Sequence, residues 1–303
     1  MYLSIVCVSR NDNYGGNALN RFEYFIKSLD FCLKKYNLND DIELVLVEWN
    51  PQIDKENFKT IIKNLNIKYN FLFKINIITV PNEYHSKLNI KVPVCEFHGK
   101  NLGLKNSNGE FILFTNPDIV FQESLFEKIK QKNLNINNFY RCMRIDVNNK
   151  NIYNNILDYE NLITYCNNNI ITYNSIYSSI NNYNKVQYNY DINKSKTLND
   201  LFTNASGDFT LANKKNLLLL KGYYESNETF THIDSMLVYQ LYFLGCEQVV
   251  LDYDCSIFHI DHDRHDKKVL NGDRANIIIN KMRDMKRKSI LKPLAELINS
   301  HFF

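Results

Sequence analysis

Asn108-Gly109-Glu110-Phe111-Ile112-Leu113-Phe114-Thr115-Asn116-Pro117-Asp118-Ile119 decides how this chain is read. Glu110 to Phe114 is a short apolar run that stops at the polar group Thr115 to Asp118, the pattern of a buried strand delivering polar side chains into a loop. Asp118 is thereby held on rigid backbone, where a carboxylate can ligate a divalent cation that bridges two phosphates. A strand-end aspartate also caps a following helix, so its meaning depends on what accompanies it.

The flanking sequence repeats the device. Tyr2 to Val8 is an apolar run ending in Ser9-Arg10-Asn11-Asp12 and Gly15-Gly16, and Ile42 to Val47 ends in Glu48-Trp49-Asn50-Pro51. Between them, Leu19 to Tyr36 carries Phe22, Phe25, Ile26, Leu29 and Leu33 at helical spacing. Lys59 to Leu65 reads as a helix, Phe73 to Val80 as a third strand, and Cys95 to Lys105 as a short helix bearing Lys100 and Asn101. Strands alternating with helices predict a parallel sheet with right-handed crossovers. In such sheets the ligand lies outside the carboxyl ends of the strands, where Arg10, Asp12, Glu48, Asn116 and Asp118 fall.

Composition bounds the alternatives. The 303 residues carry 36 basic and 33 acidic side chains, too balanced for bulk attraction to nucleic acid, and 45% are hydrophobic. Seven scattered cysteines with no C-x-x-C pair argue against a disulfide framework or a zinc knot. The N-terminal MYLSIVCVSRND lacks a basic leader and reads as a strand, which together with reduced thiols implies a cytoplasmic setting. Asparagine is abundant at 46 residues, and it favours turns and caps wherever it falls. Residues 148–200 hold 16 of these and eight tyrosines, and are expected to form an irregular or partly helical insertion packed on the main domain. Beyond it the chain regains pattern, with a helix from Asn213, a helix from Ile233 to Leu244 capped by Gly245, and a strand from Val249 to Leu251.

Taken in order, Ser9-Arg10-Asn11-Asp12, Val47-Glu48-Trp49-Asn50-Pro51, Lys100-Asn101-Leu102-Gly103, the stretch 108–119, Tyr140-Arg141, Ala205-Ser206-Gly207-Asp208, Gly222-Tyr223-Tyr224-Glu225 and His232-Ile233-Asp234 resemble a GT-A-type glycosyltransferase of the family 2-like, nucleotide-diphospho-sugar transferase group. The resemblance spans about residues 3 to 266 and departs from the family at Asn116, where the first carboxylate of an acidic D-x-D would stand. It implies a GT-A-like (Rossmann-like) mixed, mostly parallel sheet flanked by helices, over residues 1–275, with a basic helical extension at 276–303. It implies sugar transfer from a UDP- or GDP-linked donor to a hydroxyl of a glycan, glycolipid or glycoprotein, with no nucleic-acid partner; homo-oligomerisation stays open.

The same resemblance distributes roles. Asp118 and His259 would hold Mn2+ or Mg2+ on the diphosphate, His259 being preferred to His262 because it follows Ser256-Ile257-Phe258 directly. Asn116 would supply a neutral ligand or a ribose hydrogen bond. Arg10, Asp12 and Glu48 would grip the nucleoside, with Lys100 and Asn101 beside the phosphates. Asp208 would bond donor or acceptor hydroxyls, and Asp234, in an element resembling x-E-D, would be the base. Plainer readings stand beside these: Lys100 as a solvated lysine, Glu48 as a surface carboxylate, Asp208 as a cap, Asp234 as dipole complementation. Rival functions are a metal-dependent phosphohydrolase built on His259, His262 and Asp263, and a catalytically inactive sugar-binding protein. The basic run Lys281 to Lys288 would either pack on its own domain or lie on an anionic membrane as a peripheral contact.

Overall fold

Leu3–Ser9 (β1) is buried along all but its last residue, and alternation splits it between two cores. Leu3, Ile5 and Cys7 face Phe22, Phe25, Ile26, Leu29 and Leu33 of Ala18–Tyr36 (α1), while Val6 faces the opposite side. The computed structural model describes residues 1–90, 92–153, 158–174, 201–226 and 232–263. The segments 175–200 and 276–303, on which the rest of the Asn-rich insertion and the basic helix were expected, lie outside the described residues.

The order continues with Ile42–Trp49 (β2), Phe58–Tyr69 (α2), Lys74–Val80 (β3), Asn82–Lys87 (α3), Glu96–Asn106 (α4) and Phe111–Phe114 (β4). Then come Ile119–Phe121 (β5), Glu123–Lys130 (α5), Asn138–Arg141 (β6), Arg144–Val147 (β7), Tyr159–Asn168 (α6) and Ile170–Asn174 (β8). Thr210–Asn213 (β9), Lys214–Leu219 (α7), Ile233–Phe243 (α8), Glu247–Val250 (β10) and Ile257–Ile260 (β11) complete it. Asparagine does the punctuation its chemistry suits. Asn37 and Asn70 close α1 and α2 in the left-handed conformation, at φ 56° and 52°, and Asn57 and Asn213 cap α2 and α7 through their side chains.

The main sheet has the order β10-β6-β9-β4-β1-β2-β3. β3, β2, β1 and β4 run parallel, and β9 is antiparallel to both β4 and β6. A second sheet, β5-β11-β7-β8, lies over the exit of β4. Its four strands are three to five residues long, and β8 comes from the described part of the Asn-rich stretch. Phe258 and Ile260 of β11 pack with Val120, Ile145 and Val147 beneath α6 in a core of their own. Late-strand expectations shift here. The strand predicted over Val249–Leu251 runs over Glu247–Val250, and His259, expected just after a strand, lies within β11 because alternation carries pairing on to Ile260.

The amino ends of β1 and β2 are closed by a buried carboxylate. Glu43 accepts from Ser4 Oγ at 2.7 Å and from the Asn108 amide N–H at 2.6 Å, and Lys74 lies at 3.4 Å. Burial pushes this glutamate up, but the Ser4 and Asn108 donors outweigh it and hold it below the ordinary value. Removing the acceptor leaves enclosed donors unmatched, so Glu43→Ala should cost about 1–3 kcal/mol in urea unfolding. Because the folded value is depressed, the contribution is present above the ordinary glutamate range and lost as pH falls through the folded value. The gap between parent and Glu43→Gln should therefore close below about pH 4.3; a gap that widens in acid would contradict this.

Candidate active site at the strand ends

Strand pairing assembles the centre of the site. β11 lies between β5, antiparallel, and β7, parallel, and in that register His259 stands opposite both Ile119 and Asp146. Asp118 immediately precedes Ile119, so two carboxylates flank one imidazole. His259 Nδ1 meets Asp146 Oδ1 at 2.9 Å, and His259 Nε2 lies 3.6 Å from Asp118 Oδ2. The chain then turns so that His262 Nε2 reaches the same Asp118 oxygen at 3.1 Å, while its Nδ1 donates to the Asp263 carbonyl at 3.1 Å. The structure thus brings in His262 beside His259. The carboxylate that joins the two histidines is Asp118, not the Asp263 of the hydrolase grouping.

These three residues suit a divalent cation. Each offers one ligand atom, all within 4.8 Å of one another. Asp118 Oδ1 is buried without a hydrogen-bond partner, an orphaned oxygen of the kind a cation satisfies. Both imidazoles have Nδ1 committed to an oxygen acceptor, which leaves Nε2 for a ligand. Burial would lower His259, but the Asp118 carboxylate, with further help from Asp146 and Asp208, raises it to about 9. Burial likewise opposes ionisation of Asp118, and His259 and His262 hold it well below the usual carboxylate range all the same.

A row of polar contacts runs from this cluster to the opposite wall. Asp146 accepts from Arg144 and from Asn174 Nδ2 at 2.7 Å, and Arg144 also grips Asp208. Asp208 accepts from Asn116 Nδ2 at 2.7 Å, and Asn116 Oδ1 accepts from Lys100 Nζ at 2.9 Å. Lys100 is fully buried and also donates to Glu96 and to the Gly207 carbonyl at 2.7 Å, so its three ammonium protons all have protein acceptors. Burial raises the Glu96 carboxyl despite Lys100, with Asp208 and Asp234 adding to the rise. The row explains Asn116. An amide both donates and accepts, whereas a carboxylate there would face the Asp208 carboxylate at hydrogen-bond distance.

The remaining predicted residues sit around this row. Asp234, in the first turn of α8, accepts at Oδ2 from Ser206 Oγ and the Gly207 N–H, both at 2.9 Å, and so lies against the turn that carries Asp208. Arg141, fully buried, fastens the same turn through the Phe202 and Asn204 carbonyls and Thr210 Oγ1. Arg10 pairs with Asp12 at 3.1 Å and donates to the Asn50 carbonyl at 2.6 Å. Glu48 is buried, accepting from the Phe58 N–H at 2.8 Å and from Thr79 Oγ1 at 3.0 Å, which ties the end of β2 to α2 and β3. Asn101 bonds both the N–H and the carbonyl of Tyr223, at 2.7 and 2.8 Å. A side chain at Gly222 would strike Asn101 Oδ1 at 2.1 Å, so that turn requires glycine. Sequence reading passed over Arg144, Asp146 and Glu96. The alternation Arg144-Ile145-Asp146-Val147, two charges on one face of a strand, is the signal that marks the first two.

No family model matches the chain, and no curated protein matches its sequence. Solved structures do. S. aureus TarS, residues 1–349, is 12% identical with TM-score 0.52 over 86% of this chain and 60% of its own; in complex with UDP the values are 14%, 0.54, 100% and 72%. GalNAc-T7 with UDP, GalNAc and Mn2+ is 11% identical with TM-score 0.58 over 99% of this chain and 55% of its own. The chain thus spans 60% and 55% of the first two. The likeness establishes the fold: the mixed, mostly parallel α/β sheet is the GT-A-like one implied by the sequence resemblance.

The carboxylate pair around His259 has a direct readout. In metal-free protein its imidazole resonances should titrate near pH 9, and Asp146→Asn, removing one anion, should lower that midpoint. Because the folded value is raised, His259 stabilises the fold fully below its unfolded value of about 6.5 and ceases to do so as pH rises through about 9. An unchanged midpoint in Asp146→Asn would remove Asp146 from this pairing.

Proposed function

We propose that this chain is a glycosyltransferase that moves a sugar from a UDP- or GDP-linked donor to a hydroxyl acceptor. The supporting observation is the convergence of Asp118, His259 and His262 within 4.8 Å, with one Asp118 oxygen unmatched, at the strand ends of a sheet whose solved neighbours were captured with UDP and, in one case, GalNAc and Mn2+. In this reading those three residues hold a divalent cation, Mn2+ or Mg2+. A bound cation supplies positive charge against the diphosphate as the sugar–phosphate bond breaks.

The chain's own groups do the rest. Arg10 and Asp12, on the loop after β1, face the nucleoside, and Glu48 keeps that wall in place by holding β2 to α2. Lys100 acts through Asn116 and Gly207, keeping the polar row neutral and aligned. Asp208, gripped by Arg144 and Asn116, presents a fixed carboxylate edge to sugar hydroxyls. Asp234 takes the proton of the acceptor hydroxyl, the task of a general base in an inverting transfer. The acceptor is a hydroxyl of a glycan, glycolipid or glycoprotein. Among the described residues no helix is long and apolar enough to cross a membrane.

Two measurements test the reading. UDP or GDP with Mn2+ should raise the melting temperature, by about 2.7 kcal/mol of stabilisation at a hundredfold excess over Kd, and Asp118→Ala should abolish the metal-dependent part; stabilisation by free sugar without nucleotide would favour a lectin-like protein. With the donor identified by slow hydrolysis across a panel of nucleotide sugars, Asp234→Asn should lower turnover by about 10²–10⁴ at unchanged donor affinity. Unaltered turnover would take the base role from Asp234.

A further inference from the structure

The loop between β1 and α1 carries two adjacent glycines, Gly15 and Gly16, both left-handed at φ 65° and 75°. They differ in what lies beside them. A Cβ on Gly15 would stand 2.4 Å from His262 Nδ1, 2.8 Å from His262 Cγ and 2.7 Å from the Asp263 carbonyl, whereas a Cβ on Gly16 would meet nothing within 4 Å. Gly15 is therefore the floor on which the His262 imidazole rests. The Tyr14 ring closes the same imidazole edge-on, with centroids 5.1 Å apart.

The loop has little room to retreat. Arg21, buried on α1, donates to the carbonyls of Tyr14 and Gly16, on either side of Gly15. Gly16 N–H closes on the Asn13 carbonyl at 2.9 Å, and Tyr14 N–H on Asp12 Oδ1 at 3.1 Å. His262 is equally constrained on its far side, where Nε2 meets Asp118 at 3.1 Å. An added methyl at position 15 must displace the imidazole and the Asp263 carbonyl next to it, because the backbone behind it is pinned.

We infer that Gly15 is a positioning residue for His262: the missing side chain at this point of the loop sets the imidazole against Asp118. The inference rests on the cation-binding reading above. It makes the loop that bears Arg10 and Asp12 also the support of one cation ligand, although no atom of Gly15 need touch the ion. Both glycines are left-handed, so alanine at either position incurs a similar backbone cost. Gly16→Ala is thus a matched control for strain, and what separates the two variants is the contact with His262 and with the Asp263 carbonyl beside it.

The test uses the full chain and Mn2+ alone, with free Mn2+ followed by its paramagnetic resonance signal. Gly16→Ala should bind within about threefold of the parent, and Gly15→Ala about 10- to 100-fold more weakly, the usual cost of disturbing a ligand's support. In a His262→Ala background, Gly15→Ala should weaken Mn2+ no further, because the residue it acts through is gone. Melting in chelator supplies the second readout. The deficit of Gly15→Ala relative to Gly16→Ala should shrink once His262 is alanine, to the part owed to the Asp263 carbonyl, a comparison that also holds if Gly15→Ala folds too poorly for titration. Equal affinities and equal melting of the two glycine variants would overturn the inference, as would an undiminished Gly15→Ala effect without His262. Failure of the parent to bind Mn2+ would sink the cation reading instead, leaving the melting cycle to decide the contact.

Discussion

The register of β11 between β5 and β7 is the constraint on which the site depends. It sets His259 opposite Ile119 and Asp146, and with them the two carboxylates that flank the imidazole. A slip of one residue would turn His259 into the apolar core under α6 and bring Phe258 or Ile260 out to Asp118. Packing against that slip comes from Phe258 and Ile260 among Val120, Ile145 and Val147. The chemistry on one face of this strand is thus held by hydrophobic burial on the other.

Enclosed charge is tolerated because it is arranged in an alternating row. Glu96, Lys100, Asn116, Asp208, Arg144, Asp146 and His259 follow one another, so most carboxylates meet a cation or an amide. Such groups are costly to bury singly, and a missing member leaves its neighbour uncompensated. Asp118 Oδ1, at the end of the row, is the one carboxylate oxygen there that is buried without a hydrogen-bond partner, and Arg144 Nε, 2.9 Å from Asp146 Oδ1, lacks a well-aligned one. In the proposed reading, the unmatched Asp118 oxygen is the point at which a cation would join the row.

Much of the main sheet was legible in the chain. β1, β2 and β4 are buried apolar runs, β3 is a half-buried edge strand, and α1 carries a plain helical stripe, so local pattern and tertiary environment agree. The small sheet was hidden because its strands are only three to five residues long and its central strand, β11, pairs across more than a hundred positions on both sides, as Ile257 does with Phe121 and Arg144. Asp118 and His259 stood out as candidates for chemistry, and the fold sets them side by side. The burial of Lys100 was not legible. α4 is enclosed on nearly every side, and a helix packed all round shows no stripe to mark which lysine points inward. Asp146 was missed because its importance comes from a cross-strand neighbour 113 residues away.

The hydrogen bond between Asn116 and Asp208 ties together two positions 92 residues apart. The amide at 116 donates to the carboxylate at 208, so the identity of position 116 answers to the residue at 208. Chains descended from a common ancestor should consequently exchange these two sites as a couple, an acid appearing at 116 chiefly where 208 has become neutral or basic.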